Sequence, residues 1–461
     1  MIDRASGIVL LATVVLVLFV EWGGGRPFGL AAGVLVVLYL AMVAGRVGWS
    51  GRGFIGVGLL LAGVSAFTRP DWGAMIEAAL KSGSFVAAFF VSLAWLRNAS
   101  ETSPTIERCG RFLADQRPGR RYLALTLGGH VFGLMLNYGA ITLLGSLSQS
   151  ALRREADAEI RAIRTKRMLL AVQRGFISTL CWSPLSFSLA ITTAIIPGAT
   201  WSGSLGYCLV SAAILMALGW ALDAVFKPTP ARPPSERPPP HGSWGILLPL
   251  LGLLALLMAL VGGIKVVTGV RAVAAVMMAA PMLSLGWIWL QERDANARPL
   301  ALVGRRAVTY VVHDLADFRA ELVLLIMAAT IGALGASLLG PVVARAGLDA
   351  ATVPGWIIVV ALVWLAPVAG QLGMNPILSV SLVAPLLPAP SALGVSPAAV
   401  IVALTAGWAL GGASSPFTAT TLLVGAFGRV SAHRVGLQWN GLYTMLGGGL
   451  MCVWVAIVAW L

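Results

Sequence analysis

The feature that most restricts this chain is a series of apolar runs, many of them about 20 residues long, that recurs from Gly7 to Leu461. A helix rises about 1.5 Å per residue, so each such run crosses the ~30 Å hydrocarbon core of a bilayer. The composition agrees: 58% of residues are hydrophobic and 11% charged, with a mean hydropathy of +0.88. A soluble domain carries roughly 25% charged residues. Backbone groups in lipid must pair within their own segment, which leaves helices or closed barrels. The apolar residues are continuous rather than alternating, so a barrel is excluded. The sequence predicts an all-α polytopic membrane protein.

The predicted spans are 6–22, 27–45, 53–68, 76–96, 122–148, 168–197, 204–226, 244–262, 270–291, 320–340, 356–387, 397–425 and 436–460. Two of them, 122–148 and 356–387, suit simple crossings poorly; the second carries Pro367, "GMNPI" and two further prolines. Both are read as re-entrant helical hairpins, which leaves about 11 transmembrane helices. Charge tests this choice. Let the N-terminus be cytoplasmic and let every span but the hairpins cross. Of the 32 Lys and Arg residues, only Arg26, Arg69, Lys81, Lys265, Arg271 and Arg345 then fall outside, and Arg174 stays within a span. All others are cytoplasmic, as the positive-inside bias requires, and the C-terminus lies outside. The net charge of +14 is thereby explained without nucleic acid. The first run follows "MIDR" without a small-residue cleavage site, so it is read as a retained helix. Cys109, Cys181, Cys208 and Cys452 are scattered and form neither a disulfide framework nor a metal-binding spacing.

The stretch "KPTPARPPSERPPPHG" is rich in proline and charge and reads as a solvated linker. It divides the chain into an extra helix (1–26), a first repeat (27–226), the linker (227–243, cytoplasmic) and a second repeat (244–461). The first repeat comprises scaffold helices 27–97, hairpin 122–148, broken helix 168–197 and helix 204–226. The second comprises scaffold helices 244–340, hairpin 356–387, broken helix 397–425 and helix 436–460. Five crossings per unit is odd, so the second repeat is inverted relative to the first, a plan common in secondary transporters.

Local matches mark the two repeats. "WSPLSFSLAITT" and "SSPFTATTLL" align at Ser183-Pro184 and Ser415-Pro416, and "MLNYGAI" aligns with "GMNPILS" at Asn137 and Asn375. Proline inside a helix removes a hydrogen bond and breaks the helix. The new helix N-terminus carries unpaired N–H groups that attract a carboxylate. Candidate substrate residues are Asn137, Tyr138, Ser183, Pro184, Ser186, Asn375, Pro376, Ser415, Pro416 and Thr418. Amide, hydroxyl and backbone oxygens at Asn137, Ser183, Asn375, Ser414 and Ser415 are candidates for Na⁺. The alternatives are an ordinary proline kink with hydroxyls bonded back to their own helix, and asparagines that merely cap turns. Between Pro354 and Phe427 there is no ionisable acid, base or histidine, which favours sodium coupling, or none, over a carboxylate proton relay. His130 is read as a packing residue. Arg174 stands nine residues before Ser183, about 13 Å along a helix, and is a candidate for attracting an anion.

These features resemble the ion transporter superfamily, whose branches include divalent-anion/sodium symporters, citrate transporters and arsenite-type permeases. The resemblance rests on "NYGA", "MNPI", "WSPLS" and "SSPFT" and fixes no branch. It implies a symporter in which one hairpin and one broken helix per repeat form a moving transport domain. The remaining helices would form a homodimeric scaffold, giving an elevator mechanism in the cytoplasmic (inner) membrane. Residues 98–120 would be a cytoplasmic arm and 341–353 its outer counterpart. Segment 150–167 is read as a solvated amphipathic helix.

The function that follows is secondary transport of a small organic anion, a carboxylate by class, with no enzymatic activity and no bound cofactor beyond Na⁺. The expected partners are that anion, the bilayer and a second copy of the chain. A membrane-embedded lipid or glycan transferase and a channel or flippase are the rival readings.

Overall fold

The apolar runs become helices that end where glycine, proline or a capping side chain ends them. The structure is a computed structural model describing residues 2–101, 103–117, 119–153, 155–228, 242–293, 299–346 and 353–461. Every regular element among them is helical, and ten helices are long and apolar enough to cross a membrane. Leu59, Leu60 and Phe67 on one of these helices are 70%, 65% and 94% exposed. Apolar surface of that kind belongs in lipid, and the chain is an integral membrane protein. About eleven crossing helices were expected. The shortfall falls at 168–197, which is divided between two helices, one with a charged first half and one of nine residues.

The helices sort into two units. The first comprises Met1–Ala99, Leu256–Ala350 and Ile377–Pro388. It contains α1 (Ile2–Glu21), α2 (Gly25–Val43), α3 (Trp49–Thr68) and nearly all of α4 (Trp72–Glu101). The second comprises Ser100–Ala255, Ala351–Pro376 and Ala389–Leu461. It begins with the amphipathic α5 (Pro104–Ala114), then α6 (Arg121–Leu136), α7 (Gly139–Leu152), α8 (Ala158–Thr179), α9 (Phe187–Ile195) and α10 (Trp201–Val225). Helix α11 (Leu248–Thr268) starts in the second unit and passes into the first. There follow α12 (Ala272–Arg293), α13 (Pro299–Thr309), the short α14 (Leu315–Asp317) and α15 (Arg319–Arg345), all in the first unit. Helix α16 (Gly355–Gln371) belongs to the second unit and α17 (Pro376–Val383) essentially to the first. The second unit closes with α18 (Pro397–Ser414), α19 (Ala419–Gly428) and α20 (Gly441–Trp460).

Small residues let α15 of the first unit approach its neighbours. A Cβ on Gly335 would stand 2.7 Å from Leu382 of α17, and Gly51 of α3 faces Val323. The buried hydroxyl of Tyr310 donates to the Val91 carbonyl at 2.9 Å, and Asn98 donates to Asp314 at 2.8 Å. The turn around Tyr310 and helix α13 were not foreseen in the sequence, because neither is apolar enough to register as a span.

In the second unit α5 buries Ile106, Cys109, Phe112 and Leu113 and exposes Glu107 and Arg111. The chain emerging from the linker docks on it: Cys109 donates to the Ile246 carbonyl at 3.0 Å, and Phe112 meets Trp244 edge to face. Linker residues 229–241 lie outside the described residues, as do 347–352 of the expected outer counterpart arm. Segment 150–167 is not a separate surface helix. Helix α7 runs to Leu152, and α8 starts at Ala158 under an Asp157 cap that accepts from Glu159 N and Ile160 N at 2.9 and 3.1 Å. It then continues without a break to Thr179, because no proline falls between Ala158 and Thr179.

Candidate functional site

All the residues singled out in the sequence lie in the second unit, where the segments carrying them pack closely. Helix α6 bends back at Asn137, one of only two non-glycine residues with positive φ among the described residues (φ 51°). Asparagine tolerates this conformation better than bulkier side chains. Tyr138 follows, and its ring leans on Phe176 of α8 with centroids 5.3 Å apart. Helix α16 ends instead at Gly373 (φ 84°), with Met374 N–H bonded to the Ala369 carbonyl at 3.1 Å. Asn375 comes next, and Pro376 opens α17, a position where its missing N–H costs nothing.

Each of these bends lies beside the helix interruption that follows it in sequence. Gly133 of α6 faces Phe176 and Thr179, the last turn of α8, and His130 bridges to the same region. Trp182 Nε1 donates to His130 Nε2 at 3.2 Å, and His130 Nδ1 lies 2.7 Å from Ser178 Oγ. Ser178 spends its own proton on the Gly175 carbonyl. The ring is therefore neutral, with its proton on Nδ1. At the second bend Ser415 Oγ donates to the Gly370 carbonyl at 2.7 Å, and Gln371 Nε2 donates to the Ser414 carbonyl at 3.2 Å.

The two interruptions are built alike. Ser183 N–H donates to Thr179 O and Ser415 N–H to Gly411 O, at 3.0 and 2.9 Å. Two residues on, Leu185 N–H donates to Ser183 Oγ and Phe417 N–H to Ser415 Oγ. Three residues on, Ser186 donates its hydroxyl to Ser183 O at 2.7 Å and Thr418 donates to Ser415 O at 3.0 Å. Those hydroxyls touch Ser188 and Thr420 at 2.9 and 3.0 Å. Ser188 and Thr420 in turn reach back to the carbonyls of Leu180 and Gly412, three residues before each Ser-Pro. The helices restart behind Ser186 and Thr418 as α9 and α19. Pro184 and Pro416 explain why: a residue before proline is pushed out of the helical region, and the freed carbonyls need new donors. The hydroxyls supply them.

The helices entering the interruptions pack alike as well. Gly175 and Gly407 each stand eight residues before their Ser-Pro and each abuts the backbone of a neighbouring helix, α6 and α16. A Cβ on Gly407 would be 2.6 Å from the Val363 carbonyl of α16, and one on Gly175 would overlap the Thr126 carbonyl of α6. The two interruptions are also neighbours. Gln173 Nε2 of α8 donates to the Gly412 carbonyl at 3.4 Å, and a Cβ on Gly412 would lie 3.2 Å from Ile177.

Burial divides the candidate residues. Ser183, Pro184, Ser186, Ser414, Ser415, Pro376 and Pro416 are buried, whereas Asn137, Tyr138, Asn375 and Thr418 are half-exposed. The buried serines hold the interruptions closed. The half-exposed amides and Thr418 keep part of their surface open.

Arg174 is buried at 5% exposure and spends its donors inside the protein. It bonds Asn440 Oδ1 and Tyr122 Oη, both at 3.1 Å, and the carbonyls of Gly219 and Trp439 at 3.5 and 3.3 Å. Its guanidinium lies 4.5 Å from the centre of the Tyr443 ring. Asn440 completes the cluster by donating to Gln173 Oε1 at 2.9 Å. Gln173, Tyr122, Asn440 and Tyr443 escaped the sequence reading. Polar residues within otherwise apolar segments were the available signal. Among the described residues no three His, Cys, Asp or Glu side chains gather to hold a metal.

Ten apolar helices define the class, a polytopic membrane protein, and its fold is one that solved membrane transporters share. In particular, the chain is similar in structure to the Alcanivorax borkumensis YdaH transporter, described as having an unusual topology. The TM-score is 0.59 at 16% identity, covering 88% of this chain and 98% of that one. It is also similar to Neisseria gonorrhoeae MtrF, which illuminates a class of antimetabolite efflux pumps, with a TM-score of 0.54 at 13% identity over 90% and 96% of the two chains. Both neighbours are transporters rather than enzymes. At these identities the likeness is one of fold, and it singles out no superfamily. No family model matches the chain, and no curated protein matches it in sequence.

Proposed function

We propose that this chain is a secondary active transporter of the cytoplasmic membrane that carries a small organic anion of the carboxylate class. The observation that carries this reading is the twin construction of the Ser183-Pro184 and Ser415-Pro416 interruptions. Two copies of one hydrogen-bond pattern, each beside a bend of the chain at an asparagine, support two repeats of a single unit. In this reading the segment broken at Ser183-Pro184 counts as one crossing, so each repeat crosses five times and the second is inverted relative to the first. This is the ion transporter superfamily plan, with an elevator-type movement of the hairpins and broken helices, a homodimeric assembly and a cytoplasmic N-terminus.

In this reading the carboxylate is received by Asn137, Asn375 and Thr418. The first N–H groups of α19 complete the receptor, since the Thr418 side chain does not cap them. Buried hydroxyl and carbonyl oxygens around Ser183, Ser414 and Ser415 offer the ligand type that Na⁺ takes. Arg174 braces α8 against α6, α10 and the start of α20.

The test is uptake by proteoliposomes carrying the purified protein, using a panel of radiolabelled mono- and dicarboxylates in sodium and in choline buffers. Saturable uptake that Asn137→Ala and Asn375→Ala abolish, with both variants still folded, supports the proposal. Non-saturating flux, or full activity in both variants, overturns it. Sodium dependence decides the coupling.

A further inference from the structure

The charged start of α8 treats its basic residues in two ways. Arg164 is paired with Glu155, and Arg167 forms two 2.7 Å bonds to the Asp223 carboxylate. On another side of α8, Arg153, Arg161, Lys166, Arg429 and Arg434 line a cavity of about 860 Å³ that also involves α7, α19 and the turn before α20. Among the described residues no carboxylate lines this cavity, and none of the five forms an ion pair with one. Arg161 turns to the backbone carbonyls of Glu155 and Ala156. Five like charges around one recess repel each other, and a bound anion relieves that repulsion.

The surroundings indicate where such an anion comes from. Helix α8 changes from charged to apolar at Met168, so the cavity sits where the helix passes from water into the membrane. Lys166 stands 5.7 Å from the centre of the Trp439 ring, and Phe427 adds a second apolar wall. Trp and Lys together favour the headgroup level of a bilayer. Arg429 is the second non-glycine residue with positive φ (53°), a costly conformation that ends α19 beside the cavity. Basic recesses between helices at this depth suit phosphate headgroups.

We propose that this recess binds a phosphate-type anion, either the headgroup of an acidic phospholipid or a soluble phosphate. The site is separate from the paired interruptions and does not depend on the transport reading. The test uses the purified full-length protein and the triple variant Lys166→Ala/Arg429→Ala/Arg434→Ala. A control, Arg4→Ala/Arg52→Ala/Arg345→Ala, removes the same number of exposed cations elsewhere. Native mass spectrometry follows retention of phosphatidylglycerol from nanodiscs of phosphatidylglycerol and phosphatidylcholine. Thermal unfolding in neutral detergent follows stabilisation by inorganic phosphate. The expected result is binding that the triple variant weakens about tenfold or more and the control does not. Retained phosphatidylglycerol identifies the lipid as the source, and stabilisation by phosphate alone identifies the soluble ion. If the triple variant, folded by size-exclusion chromatography, binds both probes as the unmodified protein does, or the unmodified protein binds neither, the proposal fails.

Discussion

Nε of Arg174 donates to Oδ1 of Asn440 at 3.1 Å, joining α8 to the start of α20 across 266 positions of sequence. Asn440 passes the contact on to Gln173, so one amide holds two neighbouring side chains of α8. A buried cation whose partners are all neutral depends on every hydrogen bond it makes.

Replacing Asn440 with Leu leaves both Arg174 and Gln173 short of a partner. A hydrogen bond to a charged group contributes about 1.5–3 kcal/mol, so the unfolding temperature in detergent should fall clearly. Arg174→Lys should fall as well, because one ammonium cannot reach Asn440, Tyr122 and two carbonyls together. If Arg174→Lys unfolds like the unmodified protein while losing substrate affinity, Arg174 serves the solute rather than the fold.

The hydroxyls of the interruptions should be replaceable only by hydroxyls. Thr418→Val removes the hydroxyl donor to Ser415 O, at about 1–2 kcal/mol in lost stability. Thr418→Ser, the comparison, keeps it and should behave normally in both uptake and unfolding. Ser186→Ala, the counterpart in the other repeat, should cost a similar amount. Equal damage from Thr418→Ser and Thr418→Val would show that the methyl group matters instead.

Glycine at 175 and 407 is required by contact, not by conformation. Gly175→Ala and Gly407→Ala must push α8 from α6 and α18 from α16, and overpacking of this kind costs about 1–3 kcal/mol. Gly63→Ala, where a Cβ meets nothing within 4 Å, is the control and should be neutral or mildly stabilising. Fluorescence-detected size-exclusion after graded heating separates these outcomes.

The expected topology puts both ends of the first hairpin on one side. Arg120→Cys and Arg153→Cys, each at an exposed position, should react with an impermeant maleimide from the same face of sealed vesicles. Cys452, half-buried on α20, is replaced by Ser in both variants. Cys181 and Cys208 are buried, and burial pushes the Cys109 thiol up, so little of it is thiolate at neutral pH. Labelling of the two positions from opposite faces would remove the first hairpin from the topology.

Much of the helix plan was legible in the sequence. The interruptions at Ser183-Pro184 and Ser415-Pro416 could be placed because proline acts on its own helix, within a turn. The hydrophobic runs gave the spans for the same reason: length and hydropathy are local. Where the reading slipped, the cause was mixed polarity. The first half of α8 is charged and the second apolar, so one continuous helix was divided at residue 168. Helix α13 is amphipathic and therefore passed unnoticed.

Amino-acid order alone was enough to specify lipid as the solvent, helix as the backbone solution, and the two points where helix must fail, since each follows from neighbours within a few residues. The brace around Arg174 and the grouping of α16 and α17 into different units were decided only by tertiary packing. The brace depends on Asn440 meeting Arg174 and Gln173 from 266 and 267 positions away, at 3.1 and 2.9 Å, and no local pattern in the chain records such distances.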